Sequence, residues 1–416
     1  MGGPAALHTP ATSRRSPMTL PGAKDDTIYL DHAATTPVDA EVLAVMLPYF
    51  SERYGNPSSV YRLGQEARAA LDRARASVAR VLGCRPGEIL FTSGATEANN
   101  LALKGVAWQC RLDQGSPEPP PHVVTTAVEH HAVLHAAQAL EEQGFAVTYV
   151  PCDEDGIVSP DAVAAAIRPE TCLVSVMYAN NEVGAVQPIA EIAAVARERR
   201  VPVHTDAVQA GGSLPLKVDE LGVDLLALSA HKFYGPKGVG LLYVRHGTSI
   251  AYQQAGGGQE GGRRGGTENV PLIVGLAAAL EKADWLRDAY NARCAGLRDR
   301  LLDGIRDAIP DAEVNGPRDP ARRLPNNLNI AVPGVQGETV LLGLDMEGVA
   351  ASAGSACTTG NSEPSHVLRA MGLSDERCRA SLRFTVGRDN RSEEIDEAVD
   401  ILAETVARAR DLAGAA

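Results

Sequence analysis

Between residues 65 and 228 short apolar runs alternate with helical stretches, and this alternation restricts the fold more than any other feature of the sequence. Helical periodicity covers 65–82, 96–108, 131–143, 160–167 and 188–199; apolar runs fall at 88–91, 122–126, 146–150, 172–177, 201–205 and 223–228. Several of the runs are rich in Val and Leu, as strands buried on both faces should be. Strands that alternate with helices predict an α/β fold, a mostly parallel central sheet flanked by helices. Ahead of the pattern Thr27–Leu30 reads as a short strand, and a helix opens near Val38.

At 416 residues the chain exceeds one compact core, so about two domains are expected. From about 285 the texture changes to a long Arg/Asp/Ala-rich helix, strands near 326–332 and 381–386, and a closing helix across 392–413. That pattern reads as a smaller α+β domain. The division is therefore a leader at 1–24, a large domain at 25–285 whose first residues pack with the small one, and a small domain at 286–416. The leader is rich in Ala, Pro, Ser, Thr and Arg without the apolar core of a secretory signal, so it is expected to be disordered, with Met18 as an alternative start. The proline-rich stretch 111–121 reads as a surface loop.

The net charge of -13 argues against nucleic acid and membrane surfaces as partners and leaves room for basic proteins. No apolar run approaches the length of a membrane span. The seven cysteines include no CxxC pair, which argues against a disulfide framework or a structural zinc site and predicts a reducing, cytoplasmic setting with no metal.

In an open α/β sheet ligands gather beyond the carboxyl ends of the strands, so the residues after each apolar run carry the functional reading. A strand is expected to end at Lys232, before the turn-prone Gly235-Pro236-Lys237-Gly238. A lysine there is either a surface residue opening a loop or, partly desolvated, an amine that forms an imine with a carbonyl. After 88–91 comes Thr92-Ser93-Gly94-Ala95-Thr96, either an ordinary helix start capped by Thr96 or an anion site at a helix N-terminus. His130, Asn181 and Asp206 follow three further runs. Together with Thr96 and Lys232 they suit one ligand, pyridoxal 5'-phosphate. It needs a lysine for the imine, an acid to keep the pyridine nitrogen protonated and a pocket for its phosphate. Asp206 supplies the acid, Ser229, His231 and the Thr96 helix start the phosphate donors, and His130 a flat stacking partner.

The chain from Tyr29 to near its C-terminus resembles the cysteine desulfurases, pyridoxal-phosphate enzymes of the aminotransferase-like fold. The motifs that carry the resemblance are Leu30-Asp31-His32-Ala33-Ala34-Thr35-Thr36-Pro37, Gly55-Asn56-Pro57-Ser58-Ser59, Ser93-Gly94-Ala95-Thr96-Glu97 and Asn180-Asn181-Glu182-Val183-Gly184. Others are Glu129-His130, Ser229-Ala230-His231-Lys232, Arg263-Arg264-Gly265-Gly266-Thr267, Gly354-Ser355-Ala356-Cys357 and Ser381-Leu382-Arg383-Phe384. The resemblance implies that Ala95, Thr96, Asn181, Gln209, Ser229 and His231 hold the cofactor, with Gln209 at its ring oxygen. It also implies that Thr267 reaches the phosphate of a neighbouring subunit in a homodimer. Read from composition alone, Gly256–Gly266 is a flexible basic loop. Gln259 stands where some relatives carry His, so the role of that position is open.

Cys357 lies in a small, polar, glycine-flanked stretch suited to a mobile loop, whereas Cys84 and Cys172 border strands and read as packed thiols. The resemblance implies that Lys232 and His130 move protons while Arg383, helped by Asn56, grips the carboxylate of L-cysteine. Arg379 and Arg388 compete with Arg383 on charge alone. Cys357 then takes the sulfur as a persulfide, L-alanine is released, and the sulfur passes to an iron–sulfur scaffold or another acceptor protein. The alternatives are a selenocysteine lyase, a cysteine desulfhydrase, or a cofactor-binding scaffold that does not turn over.

Overall fold

The computed structural model describes residues 27–115, 118–353 and 364–414. The 1–24 leader and Cys357 lie outside the described residues. In chain order the strands are β1 (Ile28–Tyr29), β2 (Ile89–Thr92), β3 (His122–Thr126), β4 (Ala146–Val150), β5 (Thr171–Ser175) and β6 (Val203–Asp206). They continue with β7 (Leu225–Ser229), β8 (Gly240–Val244), β9 (Glu313–Asn315), β10 (Asn327–Ala331), β11 (Val349–Ala350) and β12 (Ser381–Thr385).

The central sheet has seven strands in the order β2-β8-β7-β6-β5-β3-β4. Only β8 runs against its neighbours, pairing antiparallel with β2 and β7. The carboxyl ends of β2, β3, β5, β6 and β7 therefore share one edge, where the polar residues singled out in the sequence begin. β2, β3, β5, β6, β7 and β8 are buried along their whole length, as Val- and Leu-rich runs between two helical layers should be. A second core lies around the sheet β12-β10-β9, closed by the helix Ser392–Gly414. β1 pairs with β11, and Leu30 is buried in that second core.

The helix Val270–Ala308 runs through both cores and is 39 residues long. Its Ile273, Leu276 and Leu280 pack in the first core; its Cys294, Leu297, Leu301 and Ile305 pack in the second. It begins well before the expected 285, because Asn269 accepts a hydrogen bond from Leu272 N and Pro271 sits in the first turn.

Two local expectations are corrected. β7 ends at Ser229, and Lys232 closes a 3-10 turn over Ala230–Lys232 in which Phe233 N and Gly235 N both donate to Ala230 O. Residues 111–114 are the last turn of the helix Ala95–Gln114 rather than loop. Arg111 lies over the Phe145 ring and donates to the carbonyls of Gln143 and Gly144, and Trp108 donates to Gln143 Oε1. These tertiary contacts carry the helix to Gly115, whose φ of 68° ends it.

Candidate active site

The helix Ala95–Gln114 starts at Gly94 with no side-chain cap, so Thr96 is not the cap and the first amides point out unpaired by side chains. Close approach by β8 shapes this start: a Cβ on Gly240 would stand 2.6 Å from Gly94 C. The Ser229 hydroxyl lies 4.0 Å from where a Gly94 Cβ would be, placing it beside the amides. From beneath, Glu97 accepts from Ser93 N at 2.7 Å and pairs with Arg264 at 2.8 Å. Burial alone would raise the Glu97 carboxyl; Arg264 and Ser93 outweigh it and hold it low. Uncapped amides and a hydroxyl form a cradle whose donors match a phosphate.

Asp206 ends β6 and is buried. Its Oδ2 accepts from Asn99 Nδ2 at 2.6 Å and its Oδ1 from Val208 N at 3.0 Å. Asn99 lies one turn beyond Ala95 on the helix of the cradle, so a single element sets both the anion site and the acid. The spacing from Ala95 to Asn99 was readable in the sequence, but only the fold shows that it meets Asp206.

Lys232 Nζ donates to the carbonyls of Ala33 and Ala34 at 2.6 and 2.8 Å, and Gln209 Nε2 donates to Ala33 O at 3.0 Å. Burial brings the Lys232 amine down to about 8, with Arg383 pushing the same way and Asp31 and Asp206 opposing. His231 Nδ1 faces Thr35 Oγ1 at 3.1 Å; burial, then Lys232 and Lys237, lower the His231 ring to about 4.

His130 caps the helix His131–Glu142: its Nδ1 accepts from Ala132 N at 3.1 Å, which assigns the ring proton to Nε2. Burial is the main cause of its lowered pKa, with Asp206 opposing and Lys232 adding to the fall. Beneath it the Glu129 carboxyl is fully buried, accepts from Met177 N and Thr126 Oγ1 through Oε1, and leaves Oε2 without a partner. Burial raises this carboxyl to about 8, so it is a neutral acid at pH 7. In the sequence Glu129 stands out only as the residue before His130, with no role of its own.

Arg383 comes from β12 of the second core. Nη2 meets Asp31 Oδ1 at 2.6 Å, Nη1 donates to Asn181 O at 3.0 Å, and Nε is buried without a partner. The competing arginines are engaged elsewhere: Arg379 pairs with Asp375, and Arg388 pairs with Asp39 and lies over Tyr234. Ser352 pairs through its backbone with Arg383, and Ser365 Oγ donates to Glu182 Oε2 at 2.5 Å. The described residues on both sides of Cys357 thus attach beside Arg383 and Asn181.

Asn56 and Thr267 make none of the hydrogen bonds described above, although Thr267 lines a cavity with Thr92, Ser93 and Arg264 beside the helix start. Asn56 is exposed, its Oδ1 accepting from Ser58 N within its own turn. Thr267 is exposed beside the Gly256–Gly266 segment, where Gln259 Oε1 accepts from Gly266 N. Glu260 anchors that segment, buried and paired with Arg75 at 2.7 Å.

The aminotransferase class-V family model matches residues 28–398. The chain is 46% identical over 385 residues to the cysteine desulfurase IscS of Clostridium botulinum, covering 92% of this chain and 96% of that protein. Among solved structures it is similar to a NifS-like protein with a TM-score of 0.85 at 37% identity, covering 92% of this chain and 100% of that one. It is also similar to a structure described as SspA in complex with cysteine, with a TM-score of 0.75 at 38% identity, covering 87% of this chain and 99% of that one.

Proposed function

The chain belongs to the aminotransferase class-V family, among its pyridoxal-phosphate-dependent cysteine desulfurases, and from that premise we propose which of its residues do the work. The observation that carries the reading is the half-buried Lys232, whose Nζ donates to Ala33 O and Ala34 O beside Gln209, three residues after the end of β7. Lys232 would hold the cofactor's aldehyde carbon, Asp206 its ring nitrogen, Gln209 its ring oxygen, and Ala95, Thr96, Ser229 and His231 its phosphate. His130 would supply the flat group against the ring, and Asn181 would help to hold it. When bound, the cofactor supplies an electron sink that loosens bonds at the substrate carbons.

Arg383 binds the carboxylate of L-cysteine through the Nε left unpaired and the Nη2 now on Asp31, with Asn56 assisting. Lys232, poised near neutrality, takes and returns protons. His130, fixed as the Nε2–H tautomer by its capping bond, supports this as a donor at Nε2. The Cys357 thiolate attacks the substrate sulfur; Cys357 thiol and L-cysteine become Cys357 persulfide and L-alanine. Cys357 is five positions beyond Ser352, at most roughly 18 Å of extended chain, which leaves the Arg383 site within its covalent reach. Measuring persulfide and alanine from L-cysteine tests the reading; pyruvate with free sulfide in their place, or turnover confined to selenocysteine, would replace it.

The active unit is a homodimer. Leu43, Val45, Leu47, Phe50, Tyr54, Val60 and Tyr61 are exposed within one short segment. An apolar patch of this kind calls for a partner, and a second copy would also bring Thr267 to a cradle and Asn56 to a site. Sedimentation of a monomer at micromolar concentration would contradict this. The cofactor domain spans 25–285 and the small domain 286–416, joined by the helix Val270–Ala308. The persulfide passes to an iron–sulfur scaffold or another acceptor, and the acidic surface favours one with a basic face. Among the described residues no helix is long and apolar enough to cross a membrane, and the six described cysteines are unpaired thiols, which supports a reducing cytoplasmic setting.

A further inference from the structure

The turn 180–184 follows β5 and meets both cores. Asn180 closes it: Oδ1 accepts from Glu182 N at 2.8 Å and Val183 N at 3.0 Å, and Nδ2 donates to Val128 O, two residues before His130. From the second core Asn329 of β10 donates to Glu182 O at 3.1 Å, and Arg383 of β12 donates to Asn181 O at 3.0 Å. The backbone of the turn is thereby fixed, and its buried Glu182 side chain receives a third segment. Ser365 Oγ donates to Glu182 Oε2 at 2.5 Å and accepts from Leu368 N at 3.1 Å, opening the helix His366–Ala370. One position on, His366 Nε2 donates to Glu129 O at 2.9 Å, next to His130.

We propose that Glu182 is a positioning residue for sulfur transfer, acting through Ser365 to hold the chain that follows Cys357 beside Arg383. Ser365 is eight positions beyond Cys357. Ser352, five positions before Cys357, exchanges backbone hydrogen bonds with Arg383 at 2.6 and 3.2 Å. The chain on either side of Cys357 is therefore tied to one arginine, directly through Ser352 and indirectly through Ser365, Glu182 and the Asn181 carbonyl. Fixing both ends limits the volume that the thiol searches and raises its effective concentration at the substrate sulfur. Glu182 has no part in binding L-cysteine or the cofactor, so its loss slows transfer and leaves binding in place. The proposal rests on the reading of Cys357 as the sulfur acceptor.

Single-turnover persulfide formation on Cys357 is measured with L-cysteine in the cofactor-loaded, full-length enzyme, alongside the KM for L-cysteine. Glu182→Ala should slow persulfide formation by roughly tenfold, the worth of one hydrogen bond to a charged group, with KM within about twofold of the parent's. Glu182→Gln keeps an oxygen for the Ser365 hydroxyl and should stay within about threefold of the parent rate. Ser365→Ala should slow transfer as Glu182→Ala does, and the double variant no further than either alone, because the two groups form one contact. If Glu182→Ala does not fold, Ser365→Ala set against the parent and Glu182→Gln makes the same comparison. Parent rates in Glu182→Ala or Ser365→Ala, losses that multiply in the double variant, or a loss confined to KM would overturn the proposal. A parent enzyme that forms no persulfide on Cys357 would instead overturn the sulfur-acceptor reading, and the proposal with it.

Discussion

The Arg383 guanidinium is held by Asp31 at 2.6 Å while its Nε remains buried without a partner. An arginine placed this way is oriented by one carboxylate and still has a donor for a second. Arg383→Ala should raise the KM for L-cysteine by roughly tenfold to hundredfold with a smaller change in kcat, since the contact is made in ground and transition state alike. Steady-state kinetics with alanine as the measured product provides the check.

Lys232 should limit cofactor capture through its protonation. Only the neutral amine attacks an aldehyde, and with the amine near 8 its neutral fraction grows as pH rises through that value. Reconstitution of cofactor-free protein with pyridoxal phosphate should slow roughly tenfold between pH 7 and pH 6 and level off above pH 9. A rate unchanged across that span would show that another group receives the cofactor.

The neutral Glu129 carboxyl gives a signed stability prediction. Its folded pKa, about 8, lies above the ordinary carboxyl value of 4.5, so the folded state holds a proton that the unfolded state releases. The resulting cost is absent below 4.5, grows as pH rises toward 8 and is constant beyond. Glu129→Gln keeps an uncharged group there and removes the titration. Its urea midpoint should gain on the parent protein's as pH is raised from 5 to 8, and parallel profiles would contradict the assignment.

The Asn99–Asp206 bond ties the acid proposed for the cofactor's ring nitrogen to the helix proposed to hold its phosphate. Asn99→Ala leaves the buried carboxylate with Val208 N and should weaken cofactor binding by roughly tenfold, the worth of one charge-assisted bond. Equilibrium titration of the visible absorbance measures it.

The sheet and its helices were legible because Val- and Leu-rich runs leave little choice of environment, and the observed strands fall within two residues of most of the expected ones. Lys232, Asp206 and His130 stood out for the complementary reason, that polar groups at the ends of buried strands need a purpose. Tertiary contacts were not legible. The helix past Trp108 persists through Arg111 on Phe145, and Asn99, Asp31 and Glu129 gain their roles from partners distant in sequence.

The central claim is that Lys232 activates L-cysteine while Cys357 takes its sulfur. The most direct measurement pairs Cys357→Ala with the parent enzyme, following L-alanine and protein-bound persulfide from L-cysteine. The variant should bind pyridoxal phosphate with the parent's yellow absorbance yet form no persulfide and lose nearly all alanine production. A Cys357→Ala protein that turns cysteine into alanine at the parent's rate would contradict it.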